Sequence, residues 1–322
     1  MNNILDKIKE SSKIALSFHT SPDGDSLGSS LAFLQGLRTL GKEVYIVCKE
    51  EMPKTFKFLP YSDEITGTCD VVKDGTDILI VLDCGNLERV NTNSNLEERN
   101  YALINIDHHM SNDLYGDLNY VDTKSSSMGE IVFMILESMN IEITKDIAKC
   151  IYTSLLTDTG SFRHSNTTSR THNIAGKLLD TGIDFSEIHR QIFDNKEFNR
   201  VKFMGRAIES LTLKLDGKVG VIKIRDKDFE DFGIEDKDTS DIVNIGMKIG
   251  SVDVMILLKE GDEGTKVSLR SKNIVDVRKV AENFGGGGHV RASGARIMES
   301  IDDAEKLLLE IIEEELKTIW MV

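Results

Sequence analysis

Four short apolar runs, at 14–18, 44–47, 78–82 and 102–106, constrain the fold of this chain more than any other feature. Each is rich in Ile, Leu and Val. They are too short for ordinary helices and suit strands buried on both faces. Around them, residues 26–40 and 128–139 carry apolar side chains at helical spacing, and a further helix is predicted over 145–156. Alternation of this kind predicts right-handed βαβ units and a mostly parallel sheet. Ligands of such sheets bind beyond the carboxyl ends of the strands.

The pattern changes near residue 186. The stretch 186–210 is strongly charged and reads as helix throughout. After it come a hairpin with its turn at Asp216-Gly217, a helix near 240–250, strands at 251–260 and 265–271, a helix at 275–284 and a glycine run. The amphipathic, acidic segment 302–320 closes the chain as a packed surface helix. At 322 residues the chain suits two domains of about 150 residues each. The expectation is an α/β protein with a mostly parallel N-terminal domain (1–185), a helical linker (186–210) and a smaller mixed-sheet domain (211–322), with the active site in the cleft between them.

A formal charge of -15 argues against long duplex nucleic acid and against anionic membranes as partners. A short anionic substrate remains compatible, because metal and arginine can dominate the field inside a cleft. The four cysteines, Cys48, Cys69, Cys84 and Cys150, form no C-x-x-C pair and read as reduced, mostly buried residues of a cytoplasmic protein. The N-terminal residues carry charges every few positions, unlike a signal peptide or membrane span.

Three of the apolar runs end in His or Asp. The first leads into His19, Asp23 and Asp25, the third into Asp83, and the fourth into Asp107, His108 and His109. A further acid, Asp158, closes the 145–156 helix. Taken singly, such an Asp is usually a turn former or helix cap, and such a His is usually structural. Taken together at one rim of a sheet, they read as a metal site. Asp23, Asp25, Asp83 and Asp158 supply four negative charges, which two divalent cations would offset. Mixed imidazole and carboxylate ligation suits Mn²⁺ best, with Mg²⁺, Co²⁺ or Fe²⁺ as substitutes. A structural zinc site would call for thiolates.

In order, the segments HTSPDGDSLG, VLDCG, IDHH and LLTDTG resemble the four motifs of the DHH phosphoesterase superfamily. The C-terminal FGGGGHVRASGARI resembles the DHHA1 domain of its second subfamily, so the resemblance spans residues 19–297. Chain length and the VSLRSK segment look most like the bacterial nanoRNase and 3′-phosphoadenosine-5′-phosphate phosphatase branch. The resemblance implies that His19 and Asp23 hold one metal, that Asp25, His108 and Asp158 hold the other, and that Asp83 bridges them. His109 would face the substrate phosphate, and Asp107 would orient its neighbours. Arg163 lies in the base-facing segment SFRHSNTT, where His164 stands in place of an expected aromatic residue.

The implied reaction is in-line attack on phosphorus by a water activated between two metals. In the second domain, the run Gly285-Gly286-Gly287-Gly288 reads as a backbone nest for an anion, with His289, Arg270 and Ser271 beside it. A clamp of this kind implies short substrates: oligoribonucleotides, linear dinucleotides such as pApA, and 3′-phosphoadenosine-5′-phosphate. The alternatives are a cyclic-dinucleotide phosphodiesterase, an inorganic pyrophosphatase or exopolyphosphatase, a long-strand exonuclease of the RecJ type, and a nucleotide-binding regulator without catalysis. A homodimer is compatible with all of these readings.

Overall fold

The computed structural model describes residues 1–235 and 239–320 and divides into two units, Met1–Asn195 and Lys196–Val322. The first opens with α1 (Asn2–Glu10), β1 (Lys13–Ser17), α2 (Gly24–Thr39), β2 (Glu43–Ile46), β3 (Ile78–Leu82), β4 (Ala102–Asp107) and β5 (Leu118–Val121). It continues through α3 (Met128–Ser138), α4 (Lys145–Asp158), α5 (Ser169–Asp180) and α6 (Phe185–Phe193). The five strands lie in the order β2-β1-β3-β4-β5, and every neighbouring pair is parallel. All five side chains of β3 are buried, as a central parallel strand requires. Chain order reverses between β1 and β3, so the ends of β1, β3 and β4 lie side by side at a switch point.

One face of the sheet, through Ile14, Leu16, Ile80 and Ile104, packs against Leu27 and Leu31 of α2, Ile131 of α3 and Ile151 of α4. The opposite face, through Ala15, Leu79, Val81 and Leu103, is covered by Val72, Val90 and Leu96 from connecting segments. Those connections differ from the expected alternation. Segments 47–77 and 83–101 contain no α-helix, only turns, three short 3₁₀ stretches and isolated bridges at Glu51–Thr66 and Val90. Their runs of Asn, Asp, Thr and Gly favour turns over helix. The edge strand β5 was not expected either. Its sequence LNYV is half-exposed at every position and lacks the buried-run signature of the other four.

Close packing of α2 on α4 depends on Gly28. A Cβ there would lie 2.5 Å from the Cys150 carbonyl oxygen and 3.2 Å from the Ser154 nitrogen. Backbone atoms cannot swing aside as a side-chain tip can. Gly28→Ala is therefore expected to cost about 1–3 kcal/mol, read as a lower urea midpoint; an unchanged midpoint would mean that the two helices can separate freely.

The second unit comprises α7 (Phe198–Glu209), β6 (Thr212–Lys214), β7 (Val219–Ile224), α8 (Asp226–Phe232), α9 (Ser240–Gly246), β8 (Val254–Gly261) and β9 (Gly264–Ser271). It ends with α10 (Val277–Glu282), β10 (Gly287–His289), β11 (Ala292–Ile297) and α11 (Ile301–Trp320). Its sheet runs β10-β11-β9-β8-β7-β6, with β7 and β8 parallel and the other pairs antiparallel. Alternation along β8 feeds two cores. Val254, Ile256 and Leu258 meet residues of α10 and α11, while Met255 and Leu257 meet residues of α7, α8 and α9. The stretch 186–210 is not one continuous helix: α6 ends at Phe193, α7 begins at Phe198, and the boundary between units falls in the break at 194–197. Phe203 and Ala207 of α7 are buried among second-unit residues, so α7 belongs to that core. Among the described residues no helix is long and apolar enough to cross a membrane.

Candidate metal centre

Three adjacent parallel strands deliver the acids and imidazoles to one edge of the first sheet. His19 follows β1, Asp83 follows β3, and Asp107 ends β4 with His108 and His109 next. Asp23 is the N-cap of α2, its Oδ1 accepting from the backbone N–H groups of Asp25 and Ser26, each at 3.0 Å. Asp25 sits in the first turn of that helix, and Asp158 is the last residue of α4.

Asp83 adopts φ 56°, a left-handed conformation that costs a non-glycine residue energy. The surroundings over-determine it. Its N–H donates to the Ile106 carbonyl at 3.1 Å, and the next carbonyl, of Cys84, accepts from Tyr115 Oη at 3.0 Å and Asn105 Nδ2 at 3.1 Å. The turn places the carboxylate between two imidazoles. Asp83 Oδ2 lies 3.6 Å from His19 Nε2, and Oδ1 lies 3.3 Å from His108 Nε2. His19 Nε2 is also 3.7 Å from Asp23 Oδ1, and His108 Nε2 is 3.3 Å from Asp25 Oδ2. Ligand atoms of Asp25, His108 and Asp158 lie within 4.8 Å of one another, as do those of His19, Asp23 and Asp83. The fold thus brings together all six proposed ligands, in two pockets that share Asp83.

The ring hydrogens fit cation binding. His19 Nδ1 donates to the Thr20 carbonyl at 2.9 Å and His108 Nδ1 to the Ser125 carbonyl at 3.3 Å. Since carbonyls only accept, the Nδ1 atoms carry these protons and the Nε2 atoms face the pockets, where a cation would replace the Nε2 proton, the usual arrangement of a metal-binding histidine. Asp83 Oδ1 is buried and accepts no hydrogen bond, so it has an unfilled demand for positive charge. Spacings of 3.3–3.7 Å between ligand atoms suit a small cation bonded to each at about 2.0–2.2 Å.

Electrostatics give the same result. Burial, then the Asp25 charge, pushes the Asp158 carboxyl up to about 8. Burial, then the Asp83 charge, raises Asp25. Burial also opposes ionisation of Asp83, yet His108 and His19 hold it well below the usual carboxylate range. Against their own burial, Asp25 and Asp83 push His108 up to about 12, and Asp23 and Asp83 push His19 up to about 10. Protons held on imidazoles and Asp158 stand in for cations that this density of acids demands.

Beside the pockets, Asp107 Oδ1 accepts from His109 Nδ1 at 2.8 Å and Oδ2 from Asn112 Nδ2 at 2.6 Å. The hydrogen bond to Asp107 raises the His109 pKa, and 43% of the His109 side chain is exposed, so it can meet a ligand as a proton donor. Arg163 folds back, its Nε donating to the Gly160 carbonyl at 2.7 Å, and His164 Nδ1 donates to the Asp158 carbonyl at 3.3 Å. Asn166, which sequence reasoning passed over, donates through Nδ2 to Asp158 Oδ2 at 3.2 Å.

In the second unit the glycine run is not an open nest. The N–H groups of Gly285 and Gly286 donate to the Glu282 and Ala281 carbonyls at the end of α10, and Gly287–His289 is an edge strand paired with β11. Gly288 still requires glycine, with φ 135° and a virtual Cβ 2.6 Å from the Ala292 carbonyl. Ser271 Oγ donates to the Val275 carbonyl at 2.7 Å and is buried. Arg270 Nη1 donates to the Leu269 carbonyl at 3.0 Å. His289 is exposed, and Arg291, two positions on, reaches Ser271 Oγ at 3.3 Å.

Residues 13–155 match the DHH family, N-terminal domain, and residues 216–318 match the DHHA1 domain. The chain is 32% identical over 305 residues to the bifunctional oligoribonuclease and PAP phosphatase NrnA of Thermus thermophilus, which covers 94% of this chain and 90% of that protein. It is 31% identical over 305 residues to the protein of that name from Bacillus subtilis, covering 92% and 93% respectively. The crystal structure of an exopolyphosphatase-related protein from Bacteroides fragilis matches with a TM-score of 0.88 and 27% identity, over 97% of this chain and 95% of that one. With both domains matched in order and relatives this similar along nearly its whole length, the chain belongs to the DHH phosphoesterase family and carries a DHHA1 domain.

Proposed function

We propose that the chain hydrolyses short oligoribonucleotides, including pApA-type dinucleotides, to mononucleotides, and 3′-phosphoadenosine-5′-phosphate to AMP, as a Mn²⁺-dependent cytoplasmic enzyme. One observation carries the reading: the two oxygens of Asp83 face two separate imidazole–carboxylate pockets 3.6 and 3.3 Å away. His19, Asp23 and Asp83 would hold one ion, and Asp25, His108, Asp158 and Asp83 the other. Mixed imidazole and carboxylate donors accommodate Mn²⁺, and the absence of thiolate ligands argues against a structural zinc site. When bound, the ions supply Lewis acidity and a nucleophile at neutral pH.

The chain's own residues do the rest. Asp107 fixes the His109 ring so that Nε2–H donates to a phosphoryl oxygen as charge grows there. Arg163 and the neighbouring segment would meet the base. In the DHHA1 domain, Arg270, Ser271, Gly286, Gly287, Gly288 and His289 would hold the far phosphate, a role that Gly287 and Gly288 would serve through edge-strand backbone rather than a nest. The names of the relatives from Thermus thermophilus and Bacillus subtilis support this substrate class.

A clamp at one end and metals at the other predict a length rule. Two-nucleotide RNA should turn over much faster than twenty-four-nucleotide RNA at equal 5′-end concentration. Equal rates would sink the clamp and leave a length-blind exonuclease.

A further inference from the structure

A carboxylate outside the four motifs is fully buried in the first unit. Glu130, in the first turn of α3, has no exposed surface. Its oxygens accept from the Ser126 N–H at 2.9 Å, Ser126 Oγ at 2.5 Å and Thr171 Oγ1 at 3.3 Å. Arg170 of α5 completes the set by donating from Nε to Glu130. The same guanidinium reaches Ser125 Oγ at 3.0 Å and Asp122 Oδ2 at 3.3 Å. Arg170 and Glu130 therefore fasten Asp122, Ser125 and Ser126 at once, the guanidinium bridging separate acceptors through Nε and Nη2 in a forked geometry that lysine cannot copy.

What that segment touches gives the clamp a purpose. The Ser125 carbonyl accepts the His108 Nδ1 hydrogen at 3.3 Å and so selects the tautomer that aims Nε2 inward. The Ser126 carbonyl accepts from Asn166 Nδ2 at 2.9 Å, and the same amide bonds Asp158 Oδ2 at 3.2 Å. The N–H groups of Met128 and Gly129 donate to the Asp25 carboxylate at 2.8 and 3.3 Å. His108, Asp158 and Asp25 make up one of the two pockets. The partners of the other pocket lie elsewhere: His19 is held by Thr20, Asp23 by the start of α2, and the Asp83 turn by Ile106 and the Cys84 contacts.

We propose that Glu130 and Arg170 are positioning residues for the Asp25–His108–Asp158 pocket alone, acting through residues 125–129 and Asn166. The inference rests on the two-pocket metal reading. It assigns the pockets separate supports, so that one can be loosened without the other.

The test is Mn²⁺ titration of the full metal-stripped chain by calorimetry, with the melting curve of the stripped protein as a control for folding. The wild-type chain should bind two ions. Arg170→Ala should weaken one binding event on the order of 10- to 100-fold and leave the second unchanged. Because that change leaves Glu130 buried without its partner, the charge-balanced pair Glu130→Gln with Arg170→Met serves alongside it. Asn166→Ala, which cuts only the Asp158 arm, should weaken the same event to a smaller degree. Variants that stay folded and bind both ions as wild type does, or lose both together, would overturn the clamp. A wild-type chain that binds fewer than two ions would instead overturn the two-pocket reading, and the clamp with it.

Discussion

Asp83→Ala is expected to lose roughly 10⁴-fold in phosphoester turnover, the scale of removing one member of a catalytic set that works as a unit. Among the described residues, Asp83 is the one side chain whose two oxygens face both pockets, at 3.6 Å from His19 and 3.3 Å from His108. Without it, neither pocket is complete and the two cannot share a ligand. The substitution also leaves an alanine in the left-handed turn and two buried imidazoles without their shared carboxylate, so a loss of stability is expected beside the loss of turnover. Steady-state rates on pApA, beside a melting curve of the stripped protein, separate lost chemistry from lost fold. A variant that keeps turnover within tenfold would show that Asp83 is structural. A binding-only regulator is separated by the same variant, since it would keep its nucleotide response.

Removing divalent metal should have the largest effect on stability. Filling one site at a hundred times its dissociation constant stabilises by about 2.7 kcal/mol, roughly 5–10 °C in melting temperature for a domain of this size. The shift should also depend on pH, with a definite sign. The His19 and His108 pKa values are raised to about 10 and about 12, so their contribution to the metal-free fold is complete below the unfolded histidine range and fades as pH rises through those values. Asp158, raised to about 8, costs the fold progressively as pH climbs from the ordinary carboxylate range to 8. Both trends weaken the metal-free protein between pH 6 and 8, while cations that displace those protons bind more tightly. Melting with Mn²⁺ and with chelator should therefore diverge more at pH 8 than at pH 6. A constant gap would mean that metal binds outside this cluster.

Much of this site could be read in the sequence because its parts sit where strands end. His19, Asp83, Asp107 and His108 each follow a run of buried Ile, Leu and Val, and a parallel sheet has only one carboxyl edge on which to collect them. Asp158 was legible for a different reason, as the acid closing an apolar helix. The supports were less visible. Asn166 and Arg170 lie in a polar stretch where no periodicity distinguishes an inward side chain from an outward one. Glu130 left a trace, a lone acid at the start of the apolar helix MGEIVFMILE, which buries its first turn as well as its face. The strand β5 was hidden because it lacks a buried apolar run, and the helix-free connections over 47–77 and 83–101 because their turn-forming residues carry no periodic pattern. The glycine run shows the converse limit. Four glycines signal backbone freedom, but not whether their N–H groups face a ligand, a helix end or a strand.

The most direct measurement is release of mononucleotide or phosphate from four compounds, with Mn²⁺ and with chelator. These are pApA, a five-nucleotide RNA, 3′-phosphoadenosine-5′-phosphate and pyrophosphate. The account predicts metal-dependent turnover of the three nucleotides and none of pyrophosphate. Turnover of pyrophosphate alone would contradict it, leaving the metal pockets as described but the second domain serving a different substrate.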